Sequence, residues 1–184
     1  MANPLYGQNK TDDALNEVKV EHLDRVHLMN VAADNLDLSD AVEGNKVVII
    51  TAAQADGTYL QLPEATTTNG GMHIKVVFGI AVADDFAVGT VTSNLIGGAI
   101  AVGDTNEAQG SSLDYATAIA DVGDTFKTVR FNLDTAGAAG GTGGTVLDFY
   151  YTGQSNLIVY SGMLISEIDD PTLASHFSTT VVTS

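Results

Sequence analysis

"YLQLPEATTTNGGMHIKVVFG", residues 59–79, decides how this chain is read. Side chains alternate up to Leu62. Pro63 then ends the run, because proline has no N–H to give to a ladder. A polar stretch follows, with three threonines, Asn69, Gly70 and Gly71, and the two glycines let the backbone turn. A second alternating run starts at Met72. Met72, Ile74, Val76 and Phe78 share one face, and His73, Lys75 and Val77 share the other. The stretch reads as two strands and a turn, a hairpin, with Gly79 marking a bulge or bend.

The same vocabulary extends to both sides. "VHLMNVA" (26–32), "KVVIITAA" (46–53), "FAVGTVTSNLI" (86–96), "GGAIAVGD" (97–104), "TFKTVRFNL" (125–133), "VLDFYYTG" (146–153) and "NLIVYSGMLISEI" (156–168) are short runs rich in β-branched and aromatic residues. Gly, Asp and Asn turns separate them. Alternation puts Phe149 and Tyr151 in the core with Leu147 and leaves Tyr150 outside. A short helix from Ser39 and a helical turn within 111–124 are the departures expected from strand. This pattern predicts an all-β fold, an antiparallel β-sandwich or barrel. The helix–strand alternation of parallel α/β folds is missing. No repeat of 20 to 50 residues is visible. Residues 1–25, polar with a thin apolar stripe, read as an extended N-terminal arm. Residues 26–170 form the β domain, and 171–184, beyond Pro171, form a C-terminal tail or short terminal strand.

Composition narrows the chemistry. The chain has 184 residues and no cysteine, which excludes disulfides, thiolate metal sites and thiol catalysis. With 23 acidic and 7 basic residues its net charge is −16. Phosphate backbones and anionic membranes are bound through Lys and Arg, so neither nucleic acid nor a membrane is an expected partner. The first residues lack a basic segment followed by an apolar one, so no secretory signal is expected there. No apolar run approaches the ~20 residues a membrane-spanning helix needs.

The motifs that carry chemistry fail one by one. "DTAGAAGGTGGT" (134–145) has glycines but no lysine at its end and no following helix, so it is a loop and not a phosphate cradle. His22, His27, His73 and His176 form no HxH or HExxH pair. "DTNEAQGSSLD" (104–114) starts like a calcium loop with Asp104 and Asn106, but Ala108 and Gln109 break it. Asp84-Asp85 and Asp169-Asp170 are carboxylate pairs that acidic turns carry as solvated groups. There is no GxSxG elbow and no nucleophile with a base. The expectation is no catalytic residue, no metal and no cofactor.

Leu62-Pro63 before Gly71, Gly144 to Leu147, Gly153 and the strand end Val159-Tyr160-Ser161-Gly162 follow an order that resembles the β-rich structural proteins of tailed-bacteriophage virions. The opening "MANPLYGQNKTDD" resembles the starts of small virion proteins of marine tailed phages. The resemblance covers roughly residues 40–80, 140–165 and the first dozen. It implies a jelly-roll or β-tulip-like body acting as a capsid decoration (cement) protein. Such a protein sits as a homotrimer on the major capsid protein at the outer surface of a virion assembled in the host cytoplasm. A tail or fibre component, or a receptor- or glycan-binding module, is the alternative it implies. The arm would then touch the capsid, with Pro4, Leu5, Tyr6, Leu15 and Val18 as contact candidates.

Overall fold

The computed structural model describes residues 26–33, 35–39, 45–83, 85–104, 112–116, 126–131, 141–166 and 177–178. Among them there is no helix. Twelve strands follow in chain order: β1 (Val26–Met29), β2 (Leu36–Asp37), β3 (Lys46–Ile50), β4 (Thr58–Gln61), β5 (His73–Phe78), β6 (Phe86–Gly89), β7 (Asn94–Asp104), β8 (Ser112–Ala116), β9 (Thr128–Phe131), β10 (Val146–Tyr151), β11 (Leu157–Ser166) and β12 (Phe177–Ser178). They form a seven-stranded sheet, β1-β3-β5-β10-β11-β7-β8, and a five-stranded sheet, β12-β9-β6-β4-β2. The all-β expectation stands.

The ladders are mixed. The first six strands alternate between the two sheets, so β1, β3 and β5 run parallel in one and β2, β4 and β6 parallel in the other. The chain winds as a coil of three turns. Val26 lies opposite Val47 and Lys46 opposite Ile74, offsets of 21 and 28 residues; Leu36 lies opposite Leu60 and Thr58 opposite Phe86, offsets of 24 and 28. Antiparallel pairing begins past the coil, where β10 closes on β5 and β9 on β6. The expectation of antiparallel ladders throughout is therefore corrected. A strand that returns to its own sheet after one visit to the other points the same way as before, and that excursion is the crossover parallel neighbours require.

The opening stretch is corrected in the same way. Its strands are β4 and β5, but β4 pairs with β2 and β6, and β5 with β3 and β10. The connection from Leu62 to Met72 is thus a passage between sheets and not a hairpin turn. It is tied down along its length. Tyr151 Oη donates to the Pro63 carbonyl at 2.9 Å. The Asn69 side chain accepts from Thr66 N–H at 2.9 Å and donates to the Glu64 carbonyl at 2.8 Å. Gly71 N–H reaches the Tyr151 carbonyl at 2.7 Å with φ of 86°, a conformation that favours glycine. A Cβ on Gly70 would stand 2.7 Å from the Gly153 backbone, so the two turns touch because neither has a side chain.

Glu64 is the strongest tie. Its Oε1 accepts from the N–H groups of Val91 (2.8 Å) and Thr92 (3.0 Å), and its Oε2 from Ser93 N–H, Ser93 Oγ and Thr92 Oγ1, each at 2.6 Å. Burial pushes this carboxyl up, but the hydrogen bonds from Ser93, Thr92 and Val91 outweigh it and hold the group below the ordinary value. On the other side of the same turn, Lys127 Nζ donates to the Thr92 carbonyl and, at 2.6 Å, to Asn94 Oδ1. A carboxylate and an ammonium thus grip the N–H and C=O ends of residues 91–94.

The alternation in β5 and β10 places side chains as expected. Ile74, Val76, Phe78, Leu147, Phe149 and Tyr151 are buried, while Tyr150 is exposed. The inner faces of both sheets meet in one cluster. Phe78 of the seven-stranded sheet packs against Phe131 and Phe86 of the other, with ring centroids 5.0 and 6.0 Å apart. Gly141 and Thr142, the end of the glycine-rich segment, are also buried, and the Gly141 carbonyl accepts from Val82 N–H at 2.8 Å. Thr145 is buried too, while Gly143 and Gly144 are exposed, so this end of the loop is partly packed. Of the stretch 111–124, where a helical turn was expected, residues 112–116 are strand β8, paired with β7, and the rest lies outside the described residues. The helix proposed from Ser39 falls largely on 40–44, outside the described residues.

Candidate docking face

Strands β1, β3, β5, β10 and β11 of the seven-stranded sheet present a second set of side chains away from the core, as does Ala101 of β7. Register places these outward residues in rows across the strands. In one row, Leu28 of β1 lies beside Ile49 of β3, then Val77 of β5, Val146 of β10, Met163 of β11 and Ala101 of β7. Every member is apolar. Leu28 is 55% and Met163 42% exposed, and Ile49, Val77, Val146 and Ala101 are partly exposed. Single exposed apolar residues need no account, but a contiguous band of them marks an interaction surface.

The neighbouring row is polar at its centre. Lys75 of β5 and Asp148 of β10 are cross-strand partners, with Lys75 Nζ 3.2 Å from Asp148 Oδ1. The same oxygen accepts from His73 Nε2 at 2.7 Å. The Tyr150 ring lies flat on the imidazole, with centroids 4.4 Å apart and planes within 2°. Asn45 Oδ1 holds the His73 backbone N–H at 3.0 Å. The cluster neutralises its own charges, so the face carries little net charge on a chain of −16.

A His–Asp pair orients an imidazole, but here the other face of that imidazole is covered by Tyr150, and no hydroxyl nucleophile contacts it among the described residues. No group of three or more His, Cys, Asp or Glu side chains suited to a metal is present among the described residues. Asp85 makes an ion pair with Arg130 at 3.3 Å. Asp104 and Asp114 lie in paired strands β7 and β8, which places the ends of the calcium-like segment in a ladder. Tyr151 and Tyr160 are buried, and burial pushes both phenols far up, Tyr151 also through the charge of Glu64. Of Tyr150, Tyr151 and Tyr160, Tyr150 alone is exposed.

The five contact candidates in the arm, Pro4, Leu5, Tyr6, Leu15 and Val18, lie outside the described residues, as do His22, His176, Asp84, Asp169 and Asp170. The pairing of His73 and Lys75 with Asp148 was not foreseen. Alternation shows that all three point outward, but only the β5–β10 register, across a separation of 73 positions or more, brings them together. Comparison of the chain with protein-family models, with curated proteins and with solved structures gives no match.

Proposed function

We propose that this chain is a non-enzymatic structural protein of a bacteriophage virion, built as a β-sandwich, that binds the major capsid protein at the outer surface of the shell as an oligomer and stabilises it. The observation that carries the reading is the apolar row from Leu28 to Ala101 on the outer face of the larger sheet, which suits the body to association as an oligomer. A rigid body with such a band and no assembled catalytic group among its described residues is suited to adhesion. Because it binds the assembled shell and not free subunits, it stabilises the shell by mass action. Several copies multiply weak contacts into firm attachment. The arm supplies a second attachment point through Leu5 and Tyr6.

The test uses shells assembled from the major capsid protein alone. Added to them, the full chain cosediments and raises their melting temperature. Absence of the chain from the shell pellet overturns the reading. A tail or fibre component is the second reading, favoured by the parallel coil, since stacked turns build elongated bodies. Copy number in purified particles separates the two: hundreds for decoration, a few dozen or fewer for a tail.

A further inference from the structure

We infer that the outer face of the seven-stranded sheet packs against the same face of a second copy, about a twofold axis that runs parallel to β5 and β10 and between them. The charge pattern selects this axis. It places Lys75 of one copy over Asp148 of the other and Asp148 over Lys75, so both contacts across the interface are attractive. A twofold along the row of side chains would instead stack Lys75 on Lys75 and Asp148 on Asp148. The same axis lays Val77 on Val146, Ile49 on the flexible Met163 and Leu28 on the small Ala101.

Width selects two copies over three. Strands lie about 4.8 Å apart, so a row across six strands is about 24 Å wide, and facing sheets pack about 10 Å apart. Three sheets closing a dry prism would each stand about 5 Å from the axis, which leaves room for sides of only about 17 Å. Two sheets stacked face to face fit the ordinary spacing along the whole row. The electrostatics agree. A chain of −16 repels its copies over most approaches, but this face balances its own charges.

The inference rests on the reading of this chain as an adhesive structural protein, but its test needs no particle, so the two fail separately. The full chain is examined by sedimentation velocity and light scattering at micromolar concentration. The expected mass is twice the chain's 19.1 kDa. Lys75→Asp and Asp148→Lys, each alone, place like charges across the interface and shift the mass to that of one chain. Mixing these two variants restores the pair, because the carboxylates of one copy then face the ammonium groups of the other. The ion pair within each chain stays broken in that mixture, so only a contact between chains gives the rescue. Val77→Glu, which leaves Lys75 and Asp148 intact, also dissociates the pair and keeps its circular dichroism, so it decides the question even if a charge variant misfolds. A wild-type mass of one chain or of three, a Val77→Glu variant that stays paired, or folded charge variants that fail to recombine overturns the inference.

Discussion

Glu64 shows how one side chain fixes the path of a connection. A carboxylate that accepts five hydrogen bonds joins the passage after β4 to the turn between β6 and β7. Removing it by Glu64→Ala leaves Val91 and Thr92 to water but strands the more buried Ser93 groups. The expected loss is about 1–3 kcal/mol, read from denaturant unfolding. The sign of its pH dependence follows from its lowered pKa. The contribution is fully present above the carboxylate's unfolded value and fades as pH falls through the folded one. Melting temperatures taken between pH 7 and pH 3 should therefore fall less steeply in Glu64→Gln than in the parent. Gly162 makes a different demand: a Cβ there would stand 2.3 Å from the Val146 carbonyl oxygen. Gly162→Ala must part β10 from β11 and is expected to cost about 1–3 kcal/mol by the same measurement.

At the scale of the element, the connection between β4 and β5 carries the lesson. Leu62-Pro63 and Gly70-Gly71 mark the ends of strands correctly, and β5 alternates as its residues dictate. Nothing local says that the two strands part company. A proline followed by a glycine pair stops and restarts a strand whether the chain folds back beside itself or crosses to another sheet. The choice is made by partners far away: Tyr151 on Pro63, Ser93 on Glu64 and Ala65. The outward cluster was hidden for the same reason, since His73 and Asp148 meet only through register. The parallel coil was hidden too, because its offsets vary from 21 to 28 residues and its turns share no motif. Most strands, though not β8, could thus be read from the chain, but which strands pair could not. Replacing residues 63–71 with a two-residue Asn-Gly turn tests this. A true hairpin would tolerate the change, whereas two strands of opposite sheets cannot reach their partners. The expected outcome is insoluble protein, or soluble protein without a cooperative melt.

For the whole molecule, the two sheets stand or fall together. Phe78 bridges them through Phe86 and Phe131. Phe78→Ala opens a cavity where the sheets meet and is expected to cost about 3–5 kcal/mol. That is a large share of the roughly 5–15 kcal/mol by which a domain is stable. Because the ring belongs to both inner faces, near-ultraviolet and far-ultraviolet dichroism should still report a single transition, at a lower temperature. Separate transitions would show that the larger sheet keeps its order without the smaller one.

The wound part of the chain also sets the unit in which this protein can change length. A single residue inserted into β3 or β5 would slip the register and turn the inner side chains outward. A segment of about two dozen residues, added as one complete circuit, would leave every later pairing as it is, because each circuit touches only the one before and the one after. Relatives of unequal length should then differ by whole circuits upstream of β6, each making the body about 4.8 Å taller.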